Sequence, residues 1–437
     1  MGVANVSPPS GDRIILHNVL VSAGTVAAGL LGFAFQVVVS HRVAPADYGA
    51  IFAVLTLLAL VGLPASALTL MMARETSRDR ANGHQAASAA MLHDGNRILL
   101  AAGLGVAILA ALASPLLSLF LNVPADLLLA AAFGLPFVFA FPLLVGELQG
   151  DERFVAYAAV ASGQAGLKFV GAILLGVALG PFGIVLGISV ASAASYLLVH
   201  LLLRRKLSIK ARSPWLRQAA GYLGILLPST LALAVLLSSD VLLVKHFFPQ
   251  RAAGEYAAVV ALSRALYYGA AGVAIVLFPK VVFRQSRGSN GSRLVLLSLG
   301  LVIAGGASGL AILSTWSRFF LTAFAGVPYA EGAAYLPWYA AGMTFLGAAA
   351  VLIATHQSRG RRGFLAFLIP ISVLEPAAIV AFHRSLLQVV EVVVGCMAIL
   401  VVALAVLYAW EARRFATATI DPQSTLARSQ ERLEATV

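Results

Sequence analysis

The chain has 437 residues, 60% of them hydrophobic and only 11% charged, with a mean hydropathy of +0.92. A soluble domain is about 45–50% apolar and about 25% charged, so this composition excludes a soluble globular protein and points to one that crosses a membrane many times. The apolar runs are continuous rather than alternating, which argues against a β-barrel. The net charge of +12 sits in short basic segments between these runs, so no nucleic-acid partner is expected. The single cysteine, Cys396, leaves no intramolecular disulfide and no cysteine metal cluster.

A hydrocarbon core of about 30 Å takes about 20 helical residues. Hydropathy predicts twelve spans, roughly 15–40, 49–72, 98–121, 126–148, 155–178, 181–203, 221–247, 254–279, 293–315, 335–356, 363–382 and 386–410. The first is too long for a signal-peptide core and no small-residue cleavage site follows, so it reads as a retained helix. The expected fold is an all-α polytopic membrane protein. Residues 1–14 form an N-terminal segment, 15–203 a first lobe of six helices, 204–220 a basic linker, 221–410 a second lobe of six, and 411–437 a polar tail.

Orientation follows from lysine and arginine. With the N-terminus inside, 23 of the 30 lie in cytoplasmic segments, four (Arg42, Arg251, Arg318, Arg384) lie outside, and Lys168, Lys245 and Arg264 fall within spans. That asymmetry predicts both termini in the cytoplasm and an even number of helices. The longest cytoplasmic connections are 73–97 and 204–220; the basic run in the latter suits either a solvated topogenic loop or anionic headgroups. Trp215 and Trp410 fall near the inner interface, Trp316 and Trp338 near the outer one, as anchors do.

Charges inside spans are the first functional candidates, because each costs several kcal/mol to insert. Asp240 lies about 12 Å and Arg264 about 15 Å below the outer face at 1.5 Å per residue, so a buried pair between neighbouring helices is expected. Lys168, near the middle of the fifth span with Gln164 one turn earlier on the same face, is expected to line a wet cavity. Glu375 in the eleventh span lies 207 residues later, either facing Lys168 across the lobes as a gate pair or acting as a protonatable coupling group. Pro376 is expected to bend that span. Lys245 is expected to snorkel to the outer rim, and is also a candidate for the substrate cavity, whose charge it would tip to basic. Arg42 and Asp47 read as turn residues or an outer gate, Tyr268 as packing or sugar stacking. The inner turn with Glu147, Asp151 and Glu152 reads as solvated. Arg74 is expected to close the second helix. The eight histidines include no i,i+4 pair that would hold a metal. Gly176-x-x-x-Gly180 and Gly305-x-x-x-Gly309 are expected to bring helices close.

The halves echo each other. Gln36–Ala50, QVVVSHRVAPADYGA, resembles Leu243–Ala257, LVKHFFPQRAAGEYA, with Tyr48 falling on Tyr256 at an offset of 208. Six helices separate the copies, so both run the same way through the membrane. This predicts a parallel repeat about an axis along the membrane normal, with substrate bound between the halves.

These blocks also carry a family resemblance. FQVVVSHRVAPADYG at Phe35–Gly49 is similar to the Arg-x-Leu-x-Pro-x-x-Tyr-Gly turn of the lipid-linked oligosaccharide and polysaccharide flippases of the MOP exporter superfamily, with Val43 in place of Leu. LQGDERFVAYAA at 148–159 resembles their inner turn before helix 5. DVLLVKHFFPQRAAGEYAAVVALSR at 240–264, followed by LFPK at 277–280, resembles their second-half counterpart. The resemblance covers the first eight helices; the last four match weakly. It implies a MATE-like, V-shaped, two-lobed transporter rather than an enzyme, moving an isoprenoid-linked glycan across a bacterial or archaeal cytoplasmic membrane. It implies possible partners among polysaccharide synthesis and polymerisation proteins, and coupling to protons or sodium with no other cofactor. Arg264 would then bind the substrate's pyrophosphate, since guanidinium is always charged and donates in a planar fork. No Walker-type phosphate loop is present. Two other readings stay open: a multidrug or cation antiporter of the same superfamily, and a non-transporting scaffold of a polysaccharide synthase complex. A cation exporter requires an acidic cavity, a pyrophosphate carrier a basic one, and a scaffold requires its deep charges to be paired internally.

Overall fold

The computed structural model describes residues 11–83, 85–209, 215–286 and 292–419, with side chains at fewer positions near those ends. The side chains of the block 277–280 and of Trp215, and the end of the polar tail, 420–437, lie outside the described part. So do the side chains of Arg13, Lys210, Arg212, Arg217, Arg284, Arg287, Arg413, Arg414, Arg428 and Arg432.

The first lobe is built from α1 (Gly11–Arg42), α2 (Pro45–Ala81), α3 (Gln85–Leu121), α4 (Ala125–Gly150) and α5 (Phe154–Leu202). Pro45 opens α2, where its fixed φ suits the first turn and its missing N–H costs nothing. The one-turn α6 (Arg204–Leu207) leads to the second lobe. That lobe comprises α7 (Trp215–Leu236), α8 (Ser239–Phe247), α9 (Gln250–Ser286), α10 (Ser292–Thr315), α11 (Ser317–Ala325), a 3-10 helix (Val327–Ala334), α12 (Leu336–Ser358), α13 (Leu365–Ala381) and α14 (Leu386–Thr419). The fold is all-α, with no strand among the described residues. Among the described residues nine of these segments, counting α5–α6 and α7–α8 as one each, are long and apolar enough to cross a membrane.

Every expected span falls on a helix, but several boundaries differ. Spans five and six join without a loop as the two arms of α5, folded back at Gly180, whose φ of 61° is open to glycine and strained for other residues. Pro181 follows it and fixes the return. Gly180 thus serves the bend, and Gly305 has open space where a Cβ would stand, whereas Gly176 and Gly309 do permit close approach: a Cβ there would meet Ile184 at 2.6 Å and Leu266 at 2.5 Å. The expected seventh span is broken: α7 stops at Leu236 and α8 starts at Ser239. α13 runs on through Pro370 and Pro376. Most of the expected 73–97 connection is helical, because α2 runs on to Ala81 and α3 begins at Gln85, both beyond their apolar stretches. Arg74 therefore lies within α2 rather than at its end.

Packing repeats between the lobes. α1 lies on α5 as α7 lies on α13; α4 packs on α2, α3 and α5 as α12 packs on α9, α10 and α14. α4 and α12 are the enclosed centres, with 61% and 72% of their apolar windows buried, against 17% for α3 and 11% for α10. The α3–α4 turn is three residues, 122–124, whereas α11 and the 3-10 helix fill the equivalent place in the second lobe. They pack on α9, and α11 also meets α1.

Candidate transport site

The break in α7–α8 organises the middle of the second lobe. Ending one helix at Leu236 frees carbonyls that an intact helix would use. Arg264 of α9 donates to one of them, the Leu237 carbonyl, and its guanidinium stands 5.4 Å from the Phe52 ring centroid on α2. Asp240 enters the first turn of α8, where a carboxylate complements the helix dipole. The expected Asp240–Arg264 ion pair is not formed among the described residues. Instead Asp240 Oδ2 accepts from Tyr256 at 2.8 Å and from Tyr339 at 2.7 Å, and the nearest claim on Arg264 is the freed carbonyl. Next door, Ser239 donates to Glu375 Oε1 at 3.0 Å. Adjacent residues therefore tie both carboxylates into one cluster with no solvent exposure. Each keeps a buried oxygen, Asp240 Oδ1 and Glu375 Oε2, without a hydrogen-bond partner among the described residues. Two orphan acceptors in apolar surroundings can take a proton or a small cation. Among the described residues no group of three His, Cys, Asp or Glu could hold a metal ion.

The first lobe is arranged differently. A cavity of about 590 Å³ opens between α1, α2, α4 and α5, lined by Gly32, Phe35, Ser66 and Thr69 together with Gln164 and Lys168. Lys168 makes no ion pair or hydrogen bond among the described residues. Glu375, buried in the other lobe against Ser239, is not its partner, so the expected gate pair is absent. Tyr268 is 59% exposed and meets Tyr267 edge-on, with ring centroids 5.4 Å apart.

The ends of the lobes that the sequence predicts to face outward are pressed together. A Cβ on Gly49 would come within 2.9 Å of Gly254 Cα, and one on Gly254 within 1.7 Å of the Pro45 carbonyl oxygen. The two repeated turns thus touch backbone to backbone. Ser40 donates to the Phe324 carbonyl at 3.1 Å, Tyr329 to the Val43 carbonyl at 3.2 Å, and Gln250 to the Asn122 carbonyl at 3.2 Å. All three bonds cross from one lobe to the other at this outer end. Burial, with the nearby charge of Asp47, raises the Tyr329 phenol and keeps it a donor. Lys245 does not snorkel: it is 1% exposed beside this seam and donates to Gln250 at 3.3 Å. Arg42 and Asp47 line a separate outer cavity of about 510 Å³ with Gly180 and Pro181.

The inner ends are tied within each lobe. Lys206 donates to Glu147 at 2.7 Å and Asp151 at 2.5 Å, and Thr76 donates to Glu147 at 2.6 Å. Arg80 donates to the Asp151 carbonyl and pairs with Glu152 at 3.5 Å. The acidic turn is therefore a clamp across α2, α4 and α6, not a solvated loop. In the second lobe Arg361 pairs with Glu411, which also lies 3.4 Å from His356.

No family model matches the chain, and no curated protein matches it. Solved structures do. One described as the inward-facing conformation of a multidrug resistance MATE family transporter of the MOP superfamily superposes with a TM-score of 0.77 at 14% identity, covering 90% of this chain and 96% of that one. The lipid II flippase MurJ in an inward closed conformation gives 0.69 at 14% identity, covering 90% and 87%. An outward-facing conformation of a multidrug resistance MATE family transporter of the MOP superfamily gives 0.55 at 14% identity, covering 92% and 96%. The chain has the two-lobed fold that these MOP superfamily transporters share.

Proposed function

We propose that this protein is a transporter of the alternating-access kind that carries a lipid-linked oligosaccharide, an isoprenoid-linked glycan, from the cytoplasmic to the outer leaflet of a cytoplasmic membrane. One observation supports an anionic cargo above all: the deep carboxylates Asp240 and Glu375 are withdrawn into the second lobe, while Lys168 lines the open cavity and Arg264 stands at the lobe boundary. A pyrophosphate needs fixed positive charge along its path, and a cation does not. Lys168, with Gln164, meets the cargo's phosphates in the first lobe. Arg264 meets them between the lobes, by the guanidinium hydrogens that Leu237 does not occupy. The Asp240–Glu375 cluster takes the coupling proton or sodium, and its uptake alters the packing of α8 against α13. Both termini lie in the cytoplasm, and polysaccharide synthesis or polymerisation proteins are the expected partners.

The competing reading, a multidrug or cation antiporter, draws on the same fold and uses the same carboxylates as its cargo site. Lys168→Gln and Arg264→Gln separate the two. At matched protein levels in cells that depend on this chain for surface glycan, the flippase reading expects each variant to lower surface glycan at least tenfold and to accumulate the lipid-linked intermediate. Normal glycan in both variants overturns the anionic-cargo reading; normal glycan with lost resistance to organic cations in Asp240→Asn establishes the antiporter.

A further inference from the structure

Away from the lobe boundary, a groove of about 310 Å³ lies between the start of α3 and the end of α5, at the end of the bundle where the basic segments gather. Its walls are His93, Asn96 and Arg97 from α3, and His200, Arg204, Leu207 and Ser208 from the end of α5 and from α6. Asn96 and Leu207 form a buried floor; Arg97, Arg204 and Ser208 are exposed at the rim, and the histidines stand half-buried between. Asp94, beside His93 in the chain, is not among the lining residues.

The hydrogen bonds within the groove leave it with donors. Tyr196 donates to Asn96 Oδ1 at 3.1 Å, so its oxygen takes the Nδ1 hydrogen of His200, also at 3.1 Å. The Asn96 amide oxygen is thereby occupied, and what remains of that amide is a donor. His93 Nδ1 donates to the Leu207 carbonyl at 2.5 Å, which fixes the ring against the floor. Arg97 and Arg204 form no ion pair among the described residues. Two guanidinium groups, an amide donor and a hydroxyl around one hollow, with no carboxylate on its wall, suit a phosphate.

The surroundings say what carries that phosphate. Helical spacing places Leu197 and Leu201 on the α5 face that holds His200 and Arg204, and places Ala101, Leu104 and Ile108 on the α3 face that holds Arg97. Leu197, Leu201, Leu104 and Ile108 are all more than half exposed. An apolar stripe of about three turns on α3 and a shorter one of about one turn on α5 thus run up to a cationic end, the shape of a lipid whose chains start along the helices and whose headgroup sits in the hollow.

We infer that the α3–α5 groove binds the phosphate headgroup of an anionic membrane lipid, at a site separate from the transport pathway. The inference does not rest on the identity of the transported cargo. The test uses the purified full chain in detergent, titrated with short-chain phosphatidylglycerol, the matching phosphatidylcholine and inorganic phosphate, with bound ligand counted by native mass spectrometry. Phosphatidylglycerol is expected to bind at least tenfold more tightly than phosphatidylcholine or inorganic phosphate. Arg97→Gln and Arg204→Gln should each weaken it roughly fivefold and together about 30-fold, since each basic residue near an anionic surface contributes about that factor. The single variants carry the test if the double variant does not fold, and Arg97→Lys should bind within threefold of the natural chain. Equal binding of the two lipids, or unchanged binding in both single variants, overturns the site. Inorganic phosphate binding as tightly as phosphatidylglycerol overturns the lipid assignment.

Discussion

The two lobes share a packing plan and differ in what they place at its centre. At the offset of 208 residues that relates Tyr48 to Tyr256, Gly32 corresponds in sequence to Asp240. Glycine at 32 lines a cavity; aspartate at 240 belongs to a hydrogen-bonded cluster. The repeated tyrosines follow suit. Tyr256 reaches back to Asp240, while Tyr48 reaches back to the neutral Gln36 at 2.9 Å. On the repeat-related helices α5 and α13 the charges are opposite, Lys168 beside space and Glu375 without exposure. The second lobe buries its deep carboxylates in hydrogen bonds; the first leaves Lys168 facing a cavity. A repeat can thus keep one scaffold and divide cohesion and open space between its copies.

That division can be broken most directly at Asp240. Asp240→Leu strips the acceptor from two buried tyrosine hydroxyls at about 1–3 kcal/mol each, so equilibrium unfolding in detergent should show a loss of about 2–6 kcal/mol. A loss under about 1 kcal/mol would remove the cohesive role from the cluster. The tyrosines give a finer contrast. Tyr256→Phe deletes a bond to a carboxylate and should cost about 1.5–3 kcal/mol, whereas Tyr48→Phe deletes a neutral bond and should cost about 0.5–1.5 kcal/mol. Equal losses in the same unfolding measurement would mean that the two lobes are more alike than their chemistry implies. Smallest in stability is Lys168→Gln. It removes a charge with no partner among the described residues, so unfolding should shift by no more than about 0.5 kcal/mol, or move toward greater stability. A clear destabilisation would place Lys168 among the cohesive groups instead.

Much of this arrangement is legible in the sequence. Hydropathy places the helices because backbone satisfaction in lipid leaves few alternatives, and the Tyr48–Tyr256 echo locates the two turns that meet at the outer seam. Gln164 and Lys168 share a cavity wall as their spacing requires. The helix break at residues 237–238 is hidden, because Ser238 and Ser239 barely dent an apolar run that is otherwise long enough to span. Asp240 is visible as an anomaly, yet one of its partners, Tyr339, is 99 residues away and carries no local mark. The same distance problem hides the Glu147 clamp, whose lysine and threonine come from different helices. Membrane thickness sets where apolar residues stop, not where helices stop, so the inner extensions of α2 and α3 are invisible to hydropathy.

The contact between Gly49, Gly254 and Pro45 has a mechanical consequence. A gate made of side chains can open a little by one rotamer turning, and it leaks in proportion. Here the touching surfaces are peptide backbone, which has no rotamer to turn. The outer entrance is therefore thick: it parts only when α2 and α9 move as bodies, and small fluctuations of single residues do not breach it. On the proposed reading as a carrier of large amphiphiles, such a joint keeps ions from slipping through while the empty protein waits.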